Sequence, residues 1–350
     1  MSLLGAVSHP RRRWLAPVVT SCAVAVVVTV PQVLPTGKRR PDLEPRSVDS
    51  LLLMLAGSRA NTLSGTVQAS ADLGLPEVPT QPTGGTSTLA SLLTGTHTVR
   101  IWQDGSDRQR VAVLERLGET DVARNGTTVW TYQSSTDTAS IGTLTEFSQS
   151  EIAQILLRAV FLPIVTGPDT VVSAGPTDRV AGQDAYTLVI RPKRAGSLVD
   201  RIELAVDAEQ GTLLRFRVYP SGGANPALQA RFTSISYRPP AAKLFDPVLR
   251  PVPAVSLPRP GSSRPGPGGG GPGGSSASPV STIGYGWSAV TKIAGSDLAR
   301  SAAQTVDTAT APIRGGRVLA TPLLSVLITD GGDVYLGTVP LQRLEEVAGL

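Results

Sequence analysis

The residue types that carry most covalent and metal chemistry are nearly absent from this chain. Its 350 residues include one cysteine, Cys22, and two histidines, His9 and His97. A lone cysteine forms no intramolecular disulfide and no thiolate-rich zinc or iron–sulfur site. Two histidines, one of them in the N-terminal tail, are a poor basis for a metal centre. His97 stands between Thr96 and Thr98 at a strand start, with no evident partner to orient it as a base. Glu151 and Asp169 flank a helical pattern without a paired carboxylate, and no Gly-x-Ser-x-Gly elbow, His-Glu-x-x-His pair or Walker sequence occurs. The expectation is a protein that is not an enzyme and uses no cofactor or metal.

Charge points the same way once it is located. The net charge is +5, yet Arg11, Arg12, Arg13, Lys38, Arg39, Arg40 and Arg46 precede residue 47 against only Asp42 and Glu44. Residues 47–350 therefore balance, with 25 basic and 25 acidic side chains. A neutral body with no basic stripe argues against a nucleic-acid partner.

Between the basic flanks, Trp14 to Pro35 runs for 22 residues without a charge, around an apolar core Leu15–Val30. That core is long for a signal-peptide h-region and short for a membrane span of about 20 residues. Three readings stay open: a retained anchor, a signal cleaved after Ala23-Val24-Ala25, and a lipoprotein box at Val19-Thr20-Ser21-Cys22. Positive charge is nearly tied on the two flanks, so it does not settle sidedness. The expected placement is a single-pass N-terminal anchor (residues 1–46) in the plasma membrane with an extracytoplasmic ectodomain.

The elements that follow are mostly strands. Ser47 caps an expected helix through Ala56, with Val48, Leu51, Leu52 and Leu55 at helical spacing and Leu53 and Met54 widening the apolar surface. Strand patterns follow at Thr62–Ser70, Thr98–Trp102, Gln109–Glu115, Glu119–Arg124 and Thr127–Gln133. The last two are joined through Asn125-Gly126, a hairpin signal that predicts positive φ at both residues. Ser148 caps an expected helix Gln149–Phe161. Strands resume at Asp178–Ala181, Asp184–Arg191, Arg201–Asp207, Thr212–Tyr219 and Leu228–Tyr237. Ile202, Leu204 and Val206 alternate with Arg201, Glu203 and Ala205, and Leu214, Phe216 and Val218 alternate with Arg215, Arg217 and Tyr219. One-sided strands belong to an antiparallel sheet with one wet face. The expected fold class is α+β: a curved antiparallel half-barrel with helices on its concave face, plus a small α+β C-terminal domain.

Three segments carry a family resemblance. Asn125-Gly126-Thr127-Thr128-Val129-Trp130-Thr131-Tyr132 resembles the Gly-x-x-x-Trp-x-Tyr hairpin of the LolA-like lipoprotein-carrier superfamily. Arg179 to Leu188 is similar to that family's V-x-G-x-x-x-Y-x-L strand entry, and Ile202 to Arg215 to its V-D-x-x-x-G-x-x-x-R hairpin. The resemblance covers most of residues 50–240, in the family's order. It implies a half-barrel that encloses an apolar cavity for the acyl chains of lipids or lipoproteins, in a domain taken as 47–247. The cavity candidates are Leu51, Leu55, Ile101, Val113, Trp130, Leu188, Leu204, Phe216 and Phe232, each of which also reads as ordinary core. Arg100, Arg110 and Arg215 are placed to meet a headgroup at the rim, or to be solvated strand-face arginines.

From Pro251 to Val280, Gly, Pro and Ser make up 22 of 30 residues. Residues 248–282 read as a disordered tether, and treated as flexible coil they span roughly 30 Å, enough for a tail that moves independently. Residues 283–350 then show strands at Trp287–Ile293, Arg317–Thr321, Leu323–Thr329 and Val334–Val339, and helices at Ser296–Asp307 and Leu341–Ala348. A LolA-like domain followed by a small C-terminal domain resembles the RseB/MucB-type periplasmic regulators. That resemblance implies a lipidic signal and a membrane-bound anti-sigma factor as partners. The long Gly/Pro linker and the uncleaved anchor depart from the regulators' pattern.

Overall fold

The computed structural model describes residues 40–75, 94–115, 118–143, 167–246, 280–294 and 310–350. The apolar N-terminal segment, the helices expected at Gln149–Phe161 and Ser296–Asp307, and the linker up to residue 279 lie outside the described residues.

Helix α1 (Val48–Ala56) begins at Ser47, whose side chain accepts the Ser50 N–H at 3.2 Å. Twelve strands follow: β1 (Thr62–Ala71), β2 (Gly95–Asp104), β3 (Arg108–Glu115), β4 (Gly118–Asn125), β5 (Thr128–Gln133), β6 (Thr138–Thr143), β7 (Thr170–Ala174), β8 (Asp178–Val180), β9 (Gln183–Pro192), β10 (Val199–Asp207), β11 (Leu213–Pro220) and β12 (Leu228–Ser236). They form one antiparallel, open sheet in the order β6-β5-β4-β3-β2-β1-β12-β11-β10-β9-β7, with β8 also on β9. A short 3-10 turn, Ala242–Phe245, closes this part. The second sheet has six strands in the order β13-β14-β18-β17-β16-β15: β13 (Val280–Ile283), β14 (Val290–Ile293), β15 (Ala311–Ile313), β16 (Gly316–Ala320), β17 (Ser325–Thr329) and β18 (Val334–Gly337). Helix α2 (Leu341–Ala348) packs on β17 and β18.

Three local details differ from expectation, each for a physical reason. The β4–β5 hairpin pairs Asn125 with Thr128, so the two central residues are Gly126 and Thr127. Only Gly126 has positive φ, +61°, which fits a II′ turn with glycine first rather than the I′ turn that Asn-Gly suggests. In β11, a bulge opposite Ala205 and Val206 breaks the alternation. Leu214 therefore packs with Ala205 and Ala185 instead of sharing a face with Phe216 and Val218. Trp287 lies in a 3-10 turn, Gly286–Ser288, before β14 rather than in a strand.

The second sheet packs against the first. Trp287 and Leu323 join the core cluster that contains Leu188 and Leu204, and Leu75 packs against the cluster of Leu319, Val326 and Val334. The Thr338 carbonyl accepts from the Leu198 N–H at 2.7 Å and the Ser197 hydroxyl at 3.1 Å, and the Trp287 indole donates to Thr170 Oγ1 at 2.8 Å. Strand β13 also starts inside the stretch expected to be linker, so pairing with β14 claims its last residues.

Candidate functional site

Strands β9 and β10 place Leu188, Ile190, Ile202, Leu204 and Val206 on one face, joined by Val218 of β11. Helix α1 lies on this patch. Leu51, 1% exposed, seats among them, while Val48, Leu52, Met54 and Leu55 fill around it and Phe216 packs at the side. Leu53 points away and is 73% exposed. The outer side of helix α1 thus exposes a leucine, one turn after the exposed Asp49.

Polar ties hold the flanks of α1 and not its middle. Before the helix, the Tyr186 hydroxyl donates to the Glu44 carbonyl at 2.8 Å, Arg46 donates to that hydroxyl at 3.3 Å, and Thr177 donates to the Pro41 carbonyl at 2.8 Å. After it, the Arg59 N–H reaches the Gln210 carbonyl at 2.9 Å in the β10–β11 turn. Gly211 of that turn has φ +71°, and a Cβ there would collide with the Met54 carbonyl. Only glycine satisfies both demands.

The structure divides the nine cavity candidates among several places. Leu51, Leu55, Leu188, Leu204 and Phe216 come together beneath and around α1. Phe232 sits in a separate cluster with Val180, Ala185, Ala205 and Leu214, and Ile101 packs on it. Val113 is buried on β3 opposite Val99, on the face that carries Ile101. Trp130 lies on the other face of that part of the sheet, where its indole donates to the Phe245 carbonyl at 3.0 Å.

Two of the three rim arginines are engaged inside the fold. Arg110 is sandwiched 5.2 Å from the Trp102 ring and 5.3 Å from the Trp130 ring, and it pairs with Asp121 at 2.8 Å. Asp121 is 2% exposed, and burial, followed by the charge of Asp121, raises the Glu119 carboxyl above its usual range. Arg215 pairs with Asp178, and its Nε is buried without an acceptor. Arg100 is exposed.

Ile190, Ile202 and Val218 belong to the α1 patch but were missed as candidates, although strand alternation carried their signal. Trp287 and Leu323 also reach it, and no local pattern points to contacts across so many residues. Among the described residues there is no group of three or more side chains able to hold a metal ion. No helix among them is long and apolar enough to cross a membrane. What the arrangement offers chemically is exchange of one apolar surface for another.

No family model and no curated protein matches the chain. Solved structures do. MucB in complex with MucA(peri) is 19% identical, with 86% of this chain and 97% of that one covered and a TM-score of 0.43. The Pseudomonas aeruginosa MucA/MucB complex gives 18% identity, coverage of 85% and 96%, and a TM-score of 0.44. A LolA superfamily protein from Nitrosomonas europaea gives 12% identity, coverage of 58% and 98%, and a TM-score of 0.24. The chain is thus similar to MucB over most of its length, and to a LolA superfamily protein over more than half of it.

Proposed function

We propose that this chain is a membrane-anchored, extracytoplasmic protein that binds or senses acyl chains of lipids or lipoproteins, taking them between α1 and the concave face of the sheet. Residues 47–247 form the binding domain, and α1 is its movable lid. The observation that carries this reading is the way α1 is held, by polar ties at its flanks and only apolar contact beneath. Nine residues are too few for a helix to be stable alone, so α1 depends on what lies under it. Burying Leu51 contributes about 1.5–3 kcal/mol. An acyl chain gains about 0.8 kcal/mol per buried methylene, so roughly two to four methylenes match Leu51 and a longer chain displaces it. With Trp14–Pro35 retained in the membrane, the protein acts as a tethered acceptor or sensor rather than a shuttle.

The test is titration of the full chain, held in phosphatidylcholine nanodiscs, with a fluorescent fatty acid, alongside native mass spectrometry. Saturable uptake is expected, with a marked loss in Leu55→Trp while the circular dichroism of the sheet is unchanged. Leu204→Trp is less suitable, because Leu204 is 1% exposed and overpacking there destabilises the fold itself. No acyl ligand by mass and no saturable uptake would sink the reading.

A second reading is favoured by the shared core. Because Trp287 and Leu323 pack into the cluster under α1, a change at the lid is felt by the second sheet. In this reading residues 283–350 regulate a membrane-bound anti-sigma factor or another membrane partner. A change on the exposed surface of the second sheet's part, Tyr285→Ala, separates the two: fatty-acid uptake survives it if that part's task is partner capture, and partner capture falls.

A further inference from the structure

We infer that the loop between β9 and β10 is an anion site of the phosphate class, separate from the apolar patch under α1. Arg191, Lys193 and Arg194 fall within four consecutive positions and line one side of an open depression of about 380 Å³, with Ser197, Asp200 and Ser221 among its other walls. Three cations this close repel one another and need a counter-charge. Residues 47–350 are neutral as a whole, so the cluster is local and not part of a general basicity.

The carboxylates nearby supply that counter-charge only at long range. Asp200 lies 2.9 Å from Arg201 and only at 4.0 Å from Arg191, so it serves Arg201 first. Asp169 approaches Arg194 no closer than 3.9 Å. The two guanidiniums are 51% and 78% exposed, and pairs this long in water contribute little. Their planar donor forks remain available for the bidentate geometry that phosphate oxygens accept.

The loop beneath them is held firmly, which keeps the cations in place. The Lys193 ammonium donates to the Pro168 carbonyl at 2.6 Å and its backbone N–H to the Asp169 carbonyl at 2.8 Å. The Ser221 hydroxyl donates to the Ser197 carbonyl at 2.8 Å, and Gly196 takes φ +115°, a conformation that side chains avoid. A phosphate group settling on Arg191 and Arg194 therefore meets a backbone already ordered by folding, and the two exposed guanidiniums are what it still has to order.

The phosphate belongs to a free monoester or to a lipid headgroup diester, and two soluble probes distinguish them. The full chain in phosphatidylcholine nanodiscs, at low ionic strength, is titrated calorimetrically with inorganic phosphate and separately with glycerophosphoglycerol. Saturable binding of at least one probe is expected, about tenfold weaker in Arg191→Gln and in Arg194→Gln. Preference for the diester assigns a headgroup, and preference for inorganic phosphate assigns a free anion. No saturable binding of either probe, or binding unchanged in the R191Q/R194Q double variant, overturns the inference. Fatty-acid uptake in the double variant stays at the wild-type level, so this outcome is read independently of the acyl-chain proposal.

Discussion

Helices α1 and α2 are nearly the same length and each covers one sheet, yet they are built for different ends. In α2, Leu344 is fully buried among Val290, Leu327, Tyr335 and Val339, while Gln342, Arg343 and Glu346 face solvent and Arg343 pairs with Glu346 at 3.0 Å. Its end is closed by Gly349 in the left-handed region, at φ +76°, with the Leu350 N–H returning to the Glu345 carbonyl at 3.0 Å. In α1, Leu53 faces solvent, and the closing residue Gly57 has φ −106°, outside the left-handed region. A helix with a polar outer face and a firm stop is fixed at a boundary with water. One that leaves a leucine in water beside a single carboxylate, Asp49, keeps apolar surface that a second environment can take up. The difference supports α2 as permanent cover and α1 as the part that moves.

The largest effect that separates them comes from emptying each socket. Leu344→Ala and Leu51→Ala should each cost about 2–5 kcal/mol, read as a fall in the urea midpoint. They should part company in ligand binding. Leu344→Ala leaves fatty-acid uptake per folded molecule unchanged, whereas Leu51→Ala raises it, because the ligand no longer has to expel a leucine. If Leu51→Ala lowers uptake, α1 is ordinary core and the contrast between the helices collapses.

A middle-sized effect lies at the helix ends. Gly349→Ala should cost about 1 kcal/mol, since the left-handed conformation penalises a Cβ. Gly57→Ala should cost less than that, because its φ suits any residue, and the Leu53 carbonyl oxygen, 3.2 Å from the new carbon, has only to give by a small shift. Equal losses at both sites in chemical denaturation would remove the argument that only α2 has a firm stop.

Much of this contrast was legible in the sequence, and the reason lies in its range. The bounds of α1 and α2 follow from Ser47, the run Val48 to Ala56 and the spacing of Leu341, Leu344 and Val347, all local signals. Most first-sheet strands were equally local, which is why Asn125-Gly126 located the β4–β5 turn even though the turn type differs. Strands β6 and β7 were not foreseen, since Thr-Ala-Ser-Ile-Gly-Thr and Thr-Val-Val-Ser-Ala alternate too weakly to stand out. The candidate site was legible only in part. Leu188, Leu204 and Phe216 share one patch because they follow strand parity, but parity says nothing about which distant strands meet. Trp130 stood among the candidates through the hairpin that carries the resemblance, while its partner Phe245 lies 115 residues away. The bulge that turns Leu214 away and the docking of Trp287 are tertiary events that no short pattern encodes.

The smallest expected effect is also the sharpest test of the exposed side of α1. Leu53 is 73% exposed, so Leu53→Glu removes little buried area and should change stability by no more than about 0.5 kcal/mol. A carboxylate there is neutral in consequence while α1 rests on the sheet. Its effect appears only if α1 leaves the sheet and brings Leu53 against an apolar surface, where an unpaired charge is costly. Fatty-acid uptake in nanodiscs should then fall while the urea midpoint holds, and Leu53→Met should restore it by returning the apolar surface. The matching change on α2, Gln342→Glu, should leave both readings at the wild-type value, since that face has no second environment to enter. Uptake unchanged in Leu53→Glu would mean that the outer face of α1 stays in water throughout, and that any opening of the slot is achieved without turning the helix over.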